Sequence, residues 1–168
     1  MDLYLVRHGP AADRDPLRWP DDEDRPLTGP GTREVRAAAR GFARAAGPVA
    51  AYLTSPAVRA RRTAELFREA HARPPRLEVL AELRPTGEVG EVVAALGARA
   101  RSESVALFGH EPLLAELLGL ALASDPIRVT RFSRAGAAAV EFALGGVAPG
   151  AGRLRWLLTR RQLTELGA

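Results

Sequence analysis

Three short segments of the chain hold residue types suited to binding a phosphate group. They are Arg7-His8-Gly9, the stretch 55–59 (SPAVR) and the stretch 109–112 (GHEP). Arginine binds phosphate oxygens through paired, charge-assisted hydrogen bonds, and a neutral imidazole can act as a nucleophile. Each segment directly follows a short apolar run that is typical of a buried strand. Because α/β proteins bind ligands beyond the carboxyl ends of their strands, we expect two histidines and two arginines to converge there.

The elements that must position these segments alternate along the chain. Apolar runs predict strands and amphipathic patterns predict helices. The expected strands are 3–6, 49–53, 77–80, 105–108, 138–144 and 153–159, and the expected helices are 30–46, 56–71, 89–96 and 113–122. This order predicts one domain over residues 1–168, a three-layer α/β/α sandwich whose mostly parallel sheet has an antiparallel edge.

Local signals place the ends of several elements. Thr28 is expected to cap the first helix, and Gly47-Pro48 to end it. Ser55-Pro56 reads as a helix cap followed by proline in the first helical position. The glycine-rich stretch 145–152 predicts a hairpin between the last two strands. Residues 9–27, rich in proline and aspartate, predict a long irregular loop.

Composition narrows the possible chemistry. The 168-residue chain has 24 basic and 20 acidic residues, a formal net charge of +4 and no cysteine, which excludes disulfides, thiolate metal sites and a cysteine nucleophile. Every basic residue is arginine, so almost nothing titrates below the guanidinium groups at high pH. The sequence pI of about 10.8 therefore reflects arginine use and does not indicate a nucleic-acid surface. Neither a signal-peptide core nor an apolar stretch of membrane-spanning length is present, which predicts a cytoplasmic protein with no membrane partner.

Four motifs resemble those of the histidine phosphatase (phosphoglycerate mutase-like) superfamily. Arg7-His8-Gly9 resembles its RHG signature, and the stretch 26–31 (PLTGPG) is similar to its PLTxxG helix entry. The stretch 55–63 (SPAVRARRT) is similar to its SPxxRAxxT segment, and Gly109-His110 resembles its second-histidine motif. The resemblance runs from residue 3 to about residue 144 and implies a phosphoglycerate mutase-like fold.

Within that superfamily the chain is most similar to the small phosphohistidine phosphatases of the SixA type. Only 27 residues separate Glu82 from His110, too few for the long insertions that enclose the site of the mutases. The stretch 80–87 (LAELRPTG) also resembles the LPELTPxGD stretch of the small group. An uncovered site would suit a phosphorylated side chain on a protein.

The resemblance implies a role for each of the converging residues. His8 would be the nucleophile and would carry the phosphoryl group transiently. Arg7, Arg59 and a protonated His110 would bind its equatorial oxygens and neutralise the transition state. Water would then hydrolyse the phosphohistidine, and no metal or other cofactor would be required.

The general acid that protonates the leaving group is less defined by sequence. Glu82 is the first candidate, because many members of the superfamily place their acid there. The alternatives are acidic residues of the 9–27 loop, namely Asp13, Asp15, Asp21 and Asp22. Imidazole is a far less basic leaving group than an alkoxide, so a phosphohistidine substrate would need less help from an acid.

Several other functions remain as alternatives. The preferred substrate is phosphohistidine on a phosphotransfer or phosphocarrier protein, and the second choice is a small phosphomonoester such as a sugar or nucleotide-derived phosphate. A metal-dependent hydrolase using His8 and His110 as ligands is disfavoured by the adjacent arginines, which would repel a divalent cation. A nucleic-acid binder is disfavoured because the arginines alternate with acidic residues. A catalytically silent phosphoprotein-binding module is disfavoured by the intact set of histidines and arginines.

Overall fold

The secondary structure follows the predicted alternation of strands and helices. A computed structural model of the chain describes residues 1–99, 104–143 and 146–168. The strands are β1 Asp2–Arg7, β2 Ala51–Thr54, β3 Arg76–Val79, β4 Val105–Gly109, β5 Ala137–Phe142 and β6 Gly152–Leu158. The helices are α1 Gly29–Ala46, α2 Val58–Glu69, α3 Val89–Arg99, α4 Leu113–Ala123 and α5 Arg160–Leu166, with short 3-10 turns at Asp22–Asp24 and Ala81–Leu83. Among the described residues, no helix is both long enough and apolar enough to span a bilayer.

One mixed sheet holds the six strands in the order β3-β2-β4-β1-β5-β6. The pairs β2–β3, β2–β4 and β1–β4 are parallel, whereas β1–β5 and β5–β6 are antiparallel. The expected parallel sheet with an antiparallel edge is therefore confirmed. Strand β4 lies between β1 and β2, so the strands that precede the three candidate segments are direct neighbours.

Alternation along the strands divides the core between the two faces of the sheet. In β1, Leu3 and Leu5 join an apolar cluster with α3 and α4, whereas Tyr4 and Val6 join a second cluster with α1, α2 and α5. Successive side chains of a strand point to opposite faces, and both faces here are covered by helices. The result is the expected three-layer α/β/α sandwich.

Helix α1 has the predicted boundaries. Thr28 accepts a hydrogen bond from the Gly31 amide at 2.9 Å and caps the helix. Gly47 follows the last turn with φ of +68°, a left-handed conformation that glycine adopts without steric cost.

The predicted cap of α2 is wrong. The helix begins at Val58, and Ala57 occupies the capping position without a side-chain hydrogen bond. The Ser55 hydroxyl lies within hydrogen-bond distance of the His110 ring, 55 residues away in the chain. The same hydroxyl also accepts a hydrogen bond from the Ala57 amide at 3.2 Å, so Ser55 contacts both the segment that leads into α2 and the distant histidine.

The end of the chain also differs from the expectation. The last element that the sequence predicts is a strand at 153–159, but helix α5 follows β6 and packs against α1. Its start is fixed by a capping box between Thr159 and Gln162, a signal that the sequence contained. The predicted strand 138–144 ends at Phe142, and residues 144 and 145, where the connecting loop was expected to begin, lie outside the described residues.

The contact between α1 and α5 depends on a glycine. A Cβ atom on Gly41 would lie 1.8 Å from the Leu163 carbonyl oxygen, so no side chain fits without moving α5. Overpacking of this kind costs about 1–3 kcal/mol. We expect Gly41→Ala to lower the free energy of unfolding by that amount in urea denaturation.

Gly97→Ala is the matched control, because it is also a helical glycine but has open space around its Cβ position. Removing a glycine from a helix interior stabilises by about 0.5–1 kcal/mol. If both alanine variants are equally stable, the close packing of α5 on α1 is wrong.

Candidate active site

Parallel pairing brings the three candidate segments to one edge of the sheet. Arg7, the last residue of β1, pairs in register with Gly109, the last residue of β4. The His8 amide donates to the Gly109 carbonyl oxygen at 3.0 Å, and the Ser55 amide donates to the Phe108 carbonyl oxygen at 2.9 Å. The strand exits are therefore joined by main-chain hydrogen bonds, and the side chains that follow them share one small volume.

The two histidine rings face each other in this volume. Their centroids are 5.0 Å apart, and the residues are only 8% (His8) and 3% (His110) exposed. His8 Nδ1 lies 2.7 Å from the Gly9 carbonyl oxygen. A carbonyl oxygen can only accept a hydrogen bond, so Nδ1 carries the proton and Nε2 of the neutral ring keeps its lone pair. His110 Nε2 lies 2.9 Å from Ser55 Oγ.

Burial and nearby arginines keep both rings neutral. Burial lowers the pKa of His8 to about 3, and the charges of Arg59, Arg7 and Arg25 act in the same direction, against the effect of the Gly9 hydrogen bond. Burial also lowers the pKa of His110, and His8 and the same arginines lower it further. Neutral imidazole suits a nucleophile at position 8. The neutral state of His110 differs from the expectation that this ring is protonated, because sequence motifs carry no information on burial.

The two expected arginines line the same cavity as the histidines, with Arg59 buried and Arg7 partly buried. Arg7 donates from Nη1 to the Phe132 carbonyl oxygen at 2.6 Å, and Arg59 donates from Nη2 to the Asp22 carboxylate at 2.8 Å. The Nε atom of each guanidinium is buried and has no hydrogen-bond partner among the described residues. Buried polar atoms are nearly always paired, so these N–H groups are available donors.

The shared volume is a cavity of about 160 Å³. Its lining consists of Arg7, His8, Ala11, Arg14, Arg25, Arg59, Pro85, His110, Glu111 and Arg134. The lining includes all four residues that the motifs predict to converge, Arg7, His8, Arg59 and His110. Sequence reasoning missed Arg14, Arg25 and Arg134, which come from loops and have no regular spacing relative to the strands. It also missed the contact between Ser55 and His110.

A threonine links two of the strand exits behind the histidines. Thr63 is fully buried, and its Oγ1 accepts a hydrogen bond from the Gly9 amide at 3.0 Å. The same hydroxyl donates to the Arg59 carbonyl oxygen at 2.7 Å. Thr63 therefore connects the backbone next to the His8 ring with the helical turn that carries Arg59.

The candidate acids lie in different surroundings. Glu82 is partly buried in the 3-10 turn Ala81–Leu83 and does not line the cavity, although Pro85 of the same segment does. Burial raises the pKa of Asp22, but its hydrogen bond to Arg25 and the charges of nearby arginines outweigh burial and hold the pKa below its usual value. Asp22 is therefore an ionised partner of arginines.

The remaining loop carboxylates have structural contacts or lie in solvent. Asp15 accepts hydrogen bonds from the amides of Leu17 and Arg18, Asp21 caps the 3-10 turn through the Glu23 amide, and Asp13 is exposed. Glu111 is the one carboxylate in the cavity lining among the described residues. It accepts a hydrogen bond from the Phe132 amide at 2.8 Å. Within the described part of the chain, no three histidine, aspartate or glutamate side chains cluster as metal ligands would.

Comparison with known proteins identifies the family. The sequence profile of the histidine phosphatase superfamily (branch 1) matches residues 3–87. The chain is 36% identical over 120 residues to the phosphohistidine phosphatase SixA of Escherichia coli K12, a match that covers 70% of this chain and 72% of that protein. It is also 37% identical over 118 residues to an uncharacterised protein of Picosynechococcus, covering 69% and 70% of the two chains.

The fold agrees with these sequence matches. The solved structure of the protein histidine phosphatase SixA complexed with tungstate superposes with a TM-score of 0.81 at 30% identity, covering 97% of this chain and 99% of that one. The profile matches about half of the chain, and the match to SixA spans 120 residues. The chain therefore belongs to the histidine phosphatase superfamily, and it is a phosphatase.

Proposed function

We propose that this phosphatase hydrolyses phosphohistidine on proteins through a covalent intermediate on His8, without a metal ion. The hydrogen bond from His8 Nδ1 to the Gly9 carbonyl oxygen carries the proposal, because it directs the lone pair of Nε2 away from the backbone. The proposed substrate class rests on the likeness to SixA, which is named a phosphohistidine phosphatase. It also rests on the short connection between Glu82 and His110, which leaves little chain to enclose the site.

In the first step, His8 Nε2 attacks the phosphorus atom of the substrate. A bond forms between phosphorus and Nε2, the bond from phosphorus to the leaving nitrogen breaks, and that nitrogen takes a proton from the general acid, for which Glu82 is the candidate. Arg7 and Arg59 bind the phosphoryl oxygens and neutralise the charge that spreads over them in the transition state. The unpartnered Nε–H groups of both arginines support this role.

His110 would change its charge when the substrate binds. A phosphoryl dianion next to the ring favours the protonated form, in opposition to the burial that lowers the pKa of His110. The protonated ring then donates a hydrogen bond to a phosphoryl oxygen. Ser55 Oγ, 2.9 Å from Nε2, would keep the ring oriented in both states.

In the second step, water attacks the phosphorus atom of the phosphohistidine on His8. The bond between phosphorus and Nε2 breaks, inorganic phosphate leaves, and neutral His8 is regenerated. The low pKa of His8 makes its ring a good leaving group in this step. Arginine side chains supply the positive charge that magnesium supplies in many phosphoryl-transfer enzymes.

Glu82 remains our first candidate for the general acid. Its segment reaches the cavity through Pro85, whereas Asp22 is already engaged by Arg59 and Arg25. An acid matters most when the leaving group is strongly basic. The requirement for Glu82 should therefore depend on the substrate.

The role of His8 predicts a large loss of activity in His8→Ala. We expect turnover of a phosphohistidine protein and of p-nitrophenyl phosphate to fall by about 10³-fold or more, since removing a nucleophile removes the covalent path. His71→Ala is the matched control, because His71 lies at the opposite edge of the sheet and hydrogen-bonds to Tyr52. Wild-type activity should persist in excess chelator. Undiminished turnover in His8→Ala would overturn the mechanism, and loss of activity in chelator would favour a metal-dependent one.

The role of Glu82 predicts a substrate-dependent effect. We expect Glu82→Gln to reduce kcat for p-nitrophenyl phosphate or an alkyl phosphomonoester more than kcat for phosphohistidine. Steady-state kinetics on both substrate types measure this difference, with Glu78→Gln on the exposed face of β3 as a control. Equal losses on the two substrates would contradict the assignment.

The buried neutral state of His8 predicts a pH dependence of stability. As pH falls below about 6.5 the unfolded chain binds a proton on His8, but the folded protein does so only near pH 3. The free energy of unfolding therefore decreases with falling pH in this window. Urea denaturation at pH 7, 6 and 5 measures this decrease. Between pH 7 and pH 5, the free energy of unfolding should fall less in His8→Ala than in the wild type. Parallel pH profiles for the two proteins would show that His8 is not held neutral.

A further inference from the structure

The cavity carries more positive charge than one phosphoryl group requires. Five arginines line it, and the carboxylates that oppose them are Glu111 in the lining and Asp22 beside it. With both histidines neutral, a phosphoryl dianion would balance only part of the remaining charge. The excess cations are not all deep in the site, and their positions indicate what else they bind.

Arg131 and Arg134 supply part of this excess on the segment between α4 and β5. Both residues are exposed, and neither has a salt bridge to a described carboxylate. Arg134 lines the cavity, and the charges of both residues lower the pKa of Arg7, after the larger effect of burial. Arg131 also directly precedes Phe132, whose carbonyl oxygen accepts the hydrogen bond from Arg7 at 2.6 Å, so both residues lie next to the site.

The 9–27 loop supplies a third exposed cation. The Arg14 side chain is 80% exposed, and its Nε lies 3.5 Å from the Asp22 carboxylate. Leu17, on the same loop, is 96% exposed. Arginine is enriched at protein interfaces, and the exposed Leu17 on the same loop adds apolar surface that a docked partner would bury.

We propose that Arg14, Arg131 and Arg134 form an arginine rim that docks an acidic protein surface around the phosphorylated side chain. The inference rests on the proposed function and specifies its partner: a phosphohistidine protein with carboxylates next to the histidine. The cavity of about 160 Å³ accommodates the phosphoryl group, and the rim lies where the surrounding protein surface would contact it. Complementary charge of this kind accelerates association and selects partners.

Two synthetic phosphohistidine peptides test the rim. One has two glutamates on each side of the phosphohistidine, and the other has glutamines at the same positions. We expect the wild type to show a kcat/KM roughly tenfold higher for the glutamate peptide at low salt, since charges at a rim act mainly on association. The preference should shrink as salt is raised.

Arg131→Glu is the test variant, because Arg131 is outside the cavity lining. It should lose most of the preference for the glutamate peptide, whereas kcat on saturating p-nitrophenyl phosphate, which association does not limit, should change far less. Arg73→Glu, with the same charge change on an exposed residue at the opposite edge of the sheet, should keep the preference.

The outcomes separate the rim from the proposed function. Equal kcat/KM for the two peptides in the wild type would overturn the rim and leave the phosphohistidine activity intact. Hydrolysis of p-nitrophenyl phosphate with neither peptide cleaved would overturn the proposed substrate. A third outcome is that Arg131→Glu lowers kcat/KM for a small bisphosphate as strongly as kcat/KM for the glutamate peptide. In that case the rim is a second anion subsite for small molecules, and the docking proposal fails.

Independent hydrogen bonds carry a second inference, about Thr63. Its hydroxyl joins the Gly9 amide to the Arg59 carbonyl oxygen, and Gly9 in turn accepts the hydrogen bond from His8 Nδ1. We infer that Thr63 is a positioning residue that holds the His8 nucleophile in line with the Arg59 guanidinium. Without the hydroxyl, the buried Gly9 amide would lose its partner and the loop would shift.

Thr63→Val tests this role, because it replaces the hydroxyl with a methyl group of similar size. We expect kcat to fall about tenfold, as misplacement of reacting groups lowers the rate, while inhibition by inorganic phosphate changes less than twofold. Thr63→Ser should restore the rate. Thr164→Val is the matched control, since Thr164 makes the same bond to the carbonyl four residues earlier in α5.

Thr164→Val shows how much a variant changes when it only loses such a hydrogen bond within a helix. A Thr63→Val enzyme with wild-type kcat would overturn the inference. So would a variant in which phosphate inhibition weakens in parallel with kcat, or one that Thr63→Ser fails to rescue, because either result indicates a general structural defect. Urea denaturation of all three variants shows whether the comparison is made on folded protein.

Discussion

The in-register parallel pairing of β4 with both β1 and β2 is the constraint on which the site depends. It places the ends of three strands side by side and joins the residues that follow them through main-chain hydrogen bonds. His8, Ser55 and His110 are therefore positioned by the sheet before any side chain contributes. Helices on both faces exclude water from this edge of the core. The main chain that carries the imidazoles is held in place by the hydrogen bonds of the sheet.

Bringing these side chains together has an electrostatic cost. The sheet edge gathers five arginines around two buried histidines, and like charges in a poorly solvated site repel. The protein limits the repulsion in two ways. The histidines stay neutral, with the pKa of each held well below its usual value by burial and by the arginines. The Asp22 carboxylate contacts Arg59 and Arg25 and balances part of their charge. The remaining positive charge makes the cavity attractive to a dianion.

Sequence reasoning could predict whatever is encoded in adjacent residues. Arg7 and His8 directly follow a strand, and His110 follows another, so their convergence depends only on strand order. Arg14 and Arg134 reach the cavity from loops whose path is set by tertiary contacts, and no spacing in the sequence reveals it. The local pattern predicts Ser55 as a helix cap, and its hydroxyl does accept from the Ala57 amide. The helix nevertheless begins later, at Val58, and the additional contact with His110 spans 55 residues, which no local pattern reveals. Helix α5 has seven residues, too few for a convincing periodicity, although the capping box at Thr159 marked its start.

The hydrogen bond between His8 Nδ1 and Gly9 also determines regiochemistry. A ring that donates from Nδ1 offers only Nε2, the nitrogen remote from the backbone, to an electrophile. In the proposed mechanism the intermediate would be a single positional isomer, the tele-phosphohistidine. The substrate faces no such restriction, because its leaving nitrogen is outside the His8 ring. One backbone carbonyl would thus make the enzyme's own phosphorylation isomer-specific while leaving it open to either isomer of phosphohistidine in a partner.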